Sequence, residues 1–332
     1  MASSVGARDL FKLVRNGIDV KAVQAHVRKP FRYLLCGDMG VVAEFRALLL
    51  SDHADGTIPL DAAACLETIT PGSIGIADPR EMRAVIFLGR TGDLAAADLS
   101  WVKALALPIL ALTLAPDAQP SGPSSAPTPG TVGEYITPAI SRDALRGRFF
   151  PALIDCSKGV EIAVGRRLPV LRETVAAKLT RDAANNALKI SLASAVVDHI
   201  PVVGIILGAF ASAGDMVAIT GLQMMLLLHI EAAYGRDPDV QRMWQLLPVI
   251  GGGFGWRTLA RELAGFVPVA GIAIKGAIAY AGTIVVGEGV TFFLEHGHHM
   301  SKGQASAIYD RTKNDAMRFA RDLIAKFTKG AS

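Results

Sequence analysis

The spacing of apolar positions changes period along the chain, and those changes mark its elements. Between residues 6 and 28, Leu10, Phe11, Val14, Ile18, Val20 and Val23 fall among charges at helical spacing, and Pro30 closes the pattern. This predicts an amphipathic lead-in helix within residues 1–30. A short apolar run, Tyr33 to Cys36, breaks at Gly37-Asp38-Met39-Gly40 and resumes at helical period from Val41 to Leu50, the order strand, glycine turn, helix. Near-continuous apolar runs at Arg83 to Leu88 and Leu107 to Leu114 suit central parallel strands, with a helical pattern around Asp98 to Leu105 between them. Pro116 to Gly130 is rich in Pro, Ser and Gly and reads as a surface loop. Gly133 to Ile136 reads as the last strand and Arg142 to Asp155 as a closing helix. Residues 31–156 are thus expected to form an α/β domain on a mostly parallel sheet.

From Ser157 the residues become helix formers, with Arg166, Arg167, Arg172, Lys178 and Arg181 along a helix interrupted near Pro169. These cations suit an anionic membrane surface or a solvated helix face equally. The stretch Ile200 to Gly235 holds Asp215 as its only ionisable side chain before His229. Ile200-Pro201-Val202-Val203-Gly204-Ile205 returns as Val267-Pro268-Val269-Ala270-Gly271-Ile272, an offset of 67 residues. An all-α domain over residues 157–300 therefore contains a duplicated apolar unit, with copies at about 187–235 and 254–297, and residues 301–332 form a C-terminal amphipathic helix. Gly204 and Gly208 at GxxxG spacing, with Ala211, Ser212, Gly271, Gly276, Ala277 and Ala281, predict close approach of helix backbones. Segments 200–228 and 267–294 exceed the roughly 20 residues a bilayer span needs. They could cross only with Asp215 in the first, and Lys275 and Glu288 in the second, accommodated at depth.

Composition narrows the partners. Hydrophobic residues make up 51% of the 332-residue chain and charged residues 19%, with a mean hydropathy of +0.37. The usual charged share is about 25%, so part of the surface is expected to meet lipid or a large partner. The net charge of +4 comes without a dense Lys/Arg block, and aromatics are 6%, a poor match to nucleic acid. Cys36, Cys65 and Cys156 are an odd number at wide spacing, which reads as buried reduced thiols. The N-terminal segment lacks the continuous apolar region of a secretory signal, so export is not expected.

Chemical motifs are fragmentary. A P-loop begun at Gly37 would require Gly, Lys and Ser or Thr where the chain has Val42, Ala43 and Glu44. The phosphate-neutralising lysine and the magnesium-holding hydroxyl are both absent. Gly37, Asp38 and Gly40 stay as the weak candidate for a phosphate contact through free helix N–H groups. With Thr70-Pro71-Gly72 and the strands at 84–88 and 107–114, the N-terminal half resembles the G domain of Era-like GTPases in order and hydrophobic pattern. The family's metal-coordinating Asp corresponds to Thr70, and its guanine-reading Asn-Lys-x-Asp to Thr113-Leu114-Ala115-Pro116. The resemblance implies a degenerate, P-loop-like domain: a pseudo-GTPase.

Ile200-Pro201, Asp215, Gln223-Met224-Met225, Tyr234-Gly235, Gly251-Gly252-Gly253, Phe266 to Gly271 and Thr283 together resemble the YcjF-like helical domain found behind Era-like GTPase domains, over about residues 185–297. That resemblance implies association with the inner (cytoplasmic) membrane, a cytoplasmic G-like domain and no catalytic residues. Asp215 reads as an intramembrane site paired with Lys275 or as a packing carboxylate, and Gln223 and Glu288 fall under the same two readings. Glu295-His296-Gly297-His298-His299 reads as a polar helix end rather than a metal site, because Gly297 breaks the helix that would aim the ligands.

The resulting expectation is a non-enzymatic, membrane-associated scaffold with no cofactor and no metal, partnered by lipid and by a protein or a second copy. A divergent GTP-binding protein or GTPase, and a small transporter or channel-like oligomer using Asp215 and Lys275, are the alternatives.

Overall fold

The computed structural model describes residues 19–53, 56–70, 78–193, 215–239 and 270–329. They fall into two compact units, one of Gln24–Lys178 with Ala232–Arg236, the other of Leu179–Glu231 and Asp237–Ser332 with Met1–Val23.

The first unit is built on five strands, β1 (Arg32–Gly37), β2 (Leu66–Thr68), β3 (Met82–Arg90), β4 (Ile109–Leu114) and β5 (Val132–Thr137). They pair in the order β2-β1-β3-β4-β5, every pair parallel. Helix α1 (Val20–Arg28) precedes β1, α2 (Met39–Leu49) follows it, and α3 (Leu60–Ala63) leads into β2. Short helices α4 (Asp93–Ala96) and α5 (Ser100–Lys103) cross from β3 to β4.

Alternation along the strands explains the two-sided core, since successive side chains point to opposite faces. Leu34, Cys36, Val85, Phe87, Ile109 and Ala111 share one face, against Val102 of α5 and the partly buried Leu94 and Trp101. Tyr33, Leu35, Ile86, Leu88, Leu110, Leu112 and Tyr135, all buried, alternate to the other. There Phe149 stands edge-on to both Phe45 of α2 and Tyr135, with ring centroids 5.6 and 5.4 Å apart. A sheet covered on both faces needs strands that are apolar throughout, the pattern that marked β3 and β4 in the sequence.

Two local expectations change. The closing helix is broken into α6 (Arg142–Leu145) and α7 (Phe149–Asp155), because Gly147 is a poor helix former and Arg148 leaves the helical region at φ −135°. Strand β2 has no counterpart in the sequence reading: only three residues long, it is held as a strand by Tyr33 N–H to Cys65 O at 2.8 Å and Ile69 N–H to Leu35 O at 2.8 Å. The α/β unit also runs past residue 156. Helix α8 (Glu161–Arg167) and the 3-10 turn Pro169–Leu171 bury Ile162, Ala163, Val164, Val170 and Leu171. The Tyr33 hydroxyl donates to Ser157 Oγ at 2.5 Å, and Ser157 Oγ donates onward to Leu153 O at 2.7 Å.

The helical unit contains most of α9 (Arg172–Ala193) and α10 (Asp215–Ala233), with α11 (Ala270–His296) and α12 (Lys302–Lys329). Helices α10 and α11 are apolar around their circumference, as core or membrane helices are. Met224, Leu226, Leu227, Leu228 and Ile230 of α10 and Ala277, Ile278, Ala281, Ile284, Val286 and Val290 of α11 are buried. Gly287 of α11 lies so close to α9 that a Cβ there would stand 2.1 Å from Thr180 Oγ1. The Pro201 and Pro268 stretches that carry the sequence repeat lie outside the described residues.

Candidate functional site

In a doubly wound parallel sheet, ligands bind beyond the carboxyl ends of the strands where the order reverses. With β1 flanked by β2 and β3, that point lies between the ends of β1 and β3, where the sequence places Gly37, Asp38 and Gly40. The structure closes it. Gly37 adopts φ +114°, and a Cβ on it would sit 2.0 Å from Leu88 O. Asp38 N–H donates to that same carbonyl at 2.7 Å, so the chain leaving β1 stays bonded to β3.

One residue then separates strand from helix. Asp38 is the N-cap of α2, and its Oδ1 accepts from Val41 N–H at 2.9 Å. Helix N-termini attract anions through free N–H groups and the macrodipole, and here the chain's own carboxylate stands where a phosphate would. Gly40 belongs to the same cap, its Cα hydrogen facing Asp38 Oδ1. Val42, where a P-loop has glycine, is buried in the core, and Glu44, where it has a hydroxyl, is exposed. This arrangement stabilises a helix start and repels a second anion.

The neighbouring strand ends are likewise satisfied internally. Asp93 Oδ2 accepts from Arg90 N–H at 2.6 Å. Thr113 Oγ1 donates to Glu134 at 3.0 Å, and Ala115 N–H to Thr137 O at 2.8 Å.

Of the four buried polar candidates in the helical unit, two are described in full. Gln223 of α10 donates through Nε2 to Thr283 Oγ1 of α11 at 3.2 Å, and Thr283 Oγ1 donates to Ala279 O at 2.8 Å. Sequence reading singled out Gln223 but gave Thr283 no role beyond its place in the family pattern; the pair is an interhelical bond inside the apolar core. Glu288 lies 3.9 Å from Arg311 of α12. Asp215 opens α10 and Lys275 lies in the first turns of α11. Their side chains, and so the proposed pairing between them, lie outside the described residues.

Among the described residues no group of three His, Cys, Asp or Glu side chains is placed to hold a metal ion. The histidines at the end of α11 and just beyond it lie against phenylalanine rings. His296 lies 4.2 Å from Phe292 and His299 5.0 Å from Phe293, both stacked, and Gly297 at φ +74° ends the helix with its N–H on Phe293 O.

The cysteines are free, Cys36 and Cys65 buried and Cys156 half-buried. Burial pushes the Cys36 and Cys65 thiols up to about 11, and burial with the adjacent Asp155 carboxylate pushes Cys156 up to about 12. Only the thiolate attacks electrophiles, so all three should resist iodoacetamide in the native protein at pH 8 and react at once in denaturant. The sign of the linkage follows. Stability from thiols raised on folding is complete below the ordinary thiol value near 9 and is lost as pH climbs through 11. Alkaline unfolding monitored by circular dichroism should therefore begin above pH 9; rapid native labelling of Cys36 would refute the assignment.

Gly276–His296 is long and apolar enough to cross a membrane, and half of that window is buried within the protein. Helix α12 packs back along it. Arg311 meets Glu288, and Tyr309 and Ala316 are buried. At 1.5 Å per residue, Gly276 to His296 covers about 30 Å, the thickness of the hydrocarbon layer. Asp310, Arg311, Lys313 and Asp315 would all accompany α11 to that depth. A charge at the bilayer centre costs about 2.5–3.5 kcal/mol, so four such charges outweigh what α11, with Glu288 as its one acid between Gly276 and Leu294, could offset.

No protein-family model, curated protein or solved structure matches this chain.

Proposed function

We propose that the chain is a membrane-associated protein without catalysis of its own. In this reading its α/β domain is a degenerate relative of Era-like G domains that serves as an interaction scaffold. A helical domain of the YcjF-like type, built on a duplicated apolar unit, holds it at the cytoplasmic face of the inner membrane. The observation that carries the reading is the start of α2, where the Asp38 carboxylate occupies the anion position, Asp38 N–H is bonded to Leu88 O and Gly37 lies close against that carbonyl.

Further support comes from the parallel order around β1, which retains the framework of a nucleotide-binding sheet. Among the described residues, one apolar helix of spanning length, α11, supports the membrane half of the reading. The partners are lipid and a protein or second copy of the chain, and no nucleic acid. No cofactor is needed by any part of it.

Two measurements on one full-length preparation test this. The protein should sediment with membranes through a high-salt wash, and calorimetry with GTP and magnesium at millimolar nucleotide should give no binding heat. Recovery in the soluble fraction would overturn the membrane half; saturable heat would overturn the pseudo-GTPase half and favour a divergent GTP-binding protein.

A further inference from the structure

Helices α11 and α12 form an antiparallel pair joined by residues 297–301, with Glu288 against Arg311. The two helices meet different needs. The flank of α11 beneath α12 is apolar and suits hydrocarbon, whereas charged α12 does not, so that flank meets either α12 or lipid.

The junction is built to separate them. Gly297 ends α11 in a left-handed conformation that leaves the chain free to turn. Helix α12 starts on its own capping box: Ser301 Oγ accepts from Gln304 N–H at 3.2 Å, and Ser301 N–H donates to Gln304 Oε1 at 2.9 Å. A helix capped from within its own sequence keeps its first turn when its neighbour moves away. Along α12 the sequence carries seven Lys and Arg against three Asp, a balance of +4 equal to that of the whole chain. Basic amphipathic helices lie in the plane of anionic membranes, apolar face inward. The released helix would therefore have its own place on the lipid surface.

We propose that α12 is a displaceable cover on α11: packed in the aqueous form, it swings about residues 297–301 onto an anionic bilayer surface and bares to lipid the flank of α11 it hides, the opposite flank staying packed on α9 and α10. This rests on the membrane association proposed above and assigns the lipid-binding surface to the flank of α11 that α12 hides. The Glu288–Arg311 contact is its latch. With side chains 41% and 69% exposed, it is near enough to water to open.

The test uses the full-length double variant E288C/R311C, whose new thiols are joined by a bis-thiosulfonate cross-linker that reductant cleaves. Glu288 is half-buried and Arg311 exposed, and because Cys156 is only partly buried while Cys36 and Cys65 are buried, the wild-type chain treated with the same linker is the control. Protein is mixed with vesicles of phosphatidylcholine and phosphatidylglycerol, floated, and extracted with alkaline carbonate. The reduced form should float and resist extraction. The linked form should show a carbonate-resistant fraction lower by roughly tenfold or more, since apparent affinity scales with the competent population, and reductant should restore it. Equal insertion of both forms overturns the cover while leaving membrane association standing. A reduced form that floats but is stripped by carbonate overturns insertion. A reduced form that does not float at all removes the membrane reading together with this one.

Discussion

Gly37→Ala should abolish folding of the α/β unit, or lower its stability by about 4 kcal/mol or more, the range reserved for a few severe mechanisms. Two penalties fall on one methyl group. The backbone at Gly37 lies at φ +114°, where an L-residue is strained by about 1–3 kcal/mol. The new Cβ would also stand 2.0 Å from Leu88 O, so β1 would have to part from β3 at its carboxyl end. The bond from Asp38 N–H to that carbonyl would go with it. Typical domains hold only about 5–15 kcal/mol in total. Gly92→Ala is the matched control: φ is +94°, but nothing lies within 4 Å of a Cβ. It should cost only about 1–2 kcal/mol of left-handed strain. Urea unfolding followed by far-ultraviolet circular dichroism separates the two, and equal losses would show that the contact with β3 carries no weight.

That asymmetry bears on the glycine turn itself. A glycine beyond the first strand of a parallel sheet has two possible uses, admitting a phosphate to the backbone or letting two strands stay bonded past the pleat. Leu88 O decides for the second at Gly37, and Asp38 completes it by filling the helix end. The turn has the place of a phosphate loop, between the first strand and its helix, and the wiring of a structural corner.

What the sequence made legible follows from how far each signal reaches. Strands β3 and β4 are apolar on both faces, which requires a sheet covered on both sides, and they were placed within two residues at each end. Pro169 interrupts the helix where expected. Strand β2 was not legible because three residues, Leu66-Glu67-Thr68, have no period; the strand is defined by β1 beside it. The extension of the α/β unit to Lys178 escaped for a similar reason. The Ser157 hydroxyl looks like any polar residue in a helical stretch until Tyr33 is found 2.5 Å away. At the candidate site, residue identities showed that the lysine and hydroxyl of a P-loop are missing. They did not show that Asp38 turns inward to cap α2. The helical unit divides the same way: Gln223 and Glu288 stood out as polar residues in apolar stretches, whereas their partners Thr283 and Arg311 sit in unremarkable contexts.

Gly287→Ala should destabilise the helical unit by about 2 kcal/mol, against the direction that helix propensity alone would give. Alanine is favoured over glycine inside a helix by about 1 kcal/mol, and Gly282, with nothing within 4 Å of its Cβ position, should show that gain when replaced by alanine. At Gly287 the added methyl would meet Thr180 Oγ1 at 2.1 Å, Cγ2 at 2.4 Å and Cβ at 2.7 Å. Thr180 is itself only 3% exposed and has little room to turn aside. Overpacking of this kind costs about 1–3 kcal/mol, occasionally more, enough to reverse the propensity gain. The partner can be identified by a double-mutant cycle. Thr180→Ala in the Gly287→Ala background removes two of the three overlaps and should recover part of the loss, and Thr180→Gly, which removes all three, should recover more. Denaturant midpoints of the four proteins in each cycle measure the coupling. Strict additivity would mean that α9 and α11 do not meet at this glycine, and the helical unit would lose the close contact that aligns α11 against its aqueous neighbour.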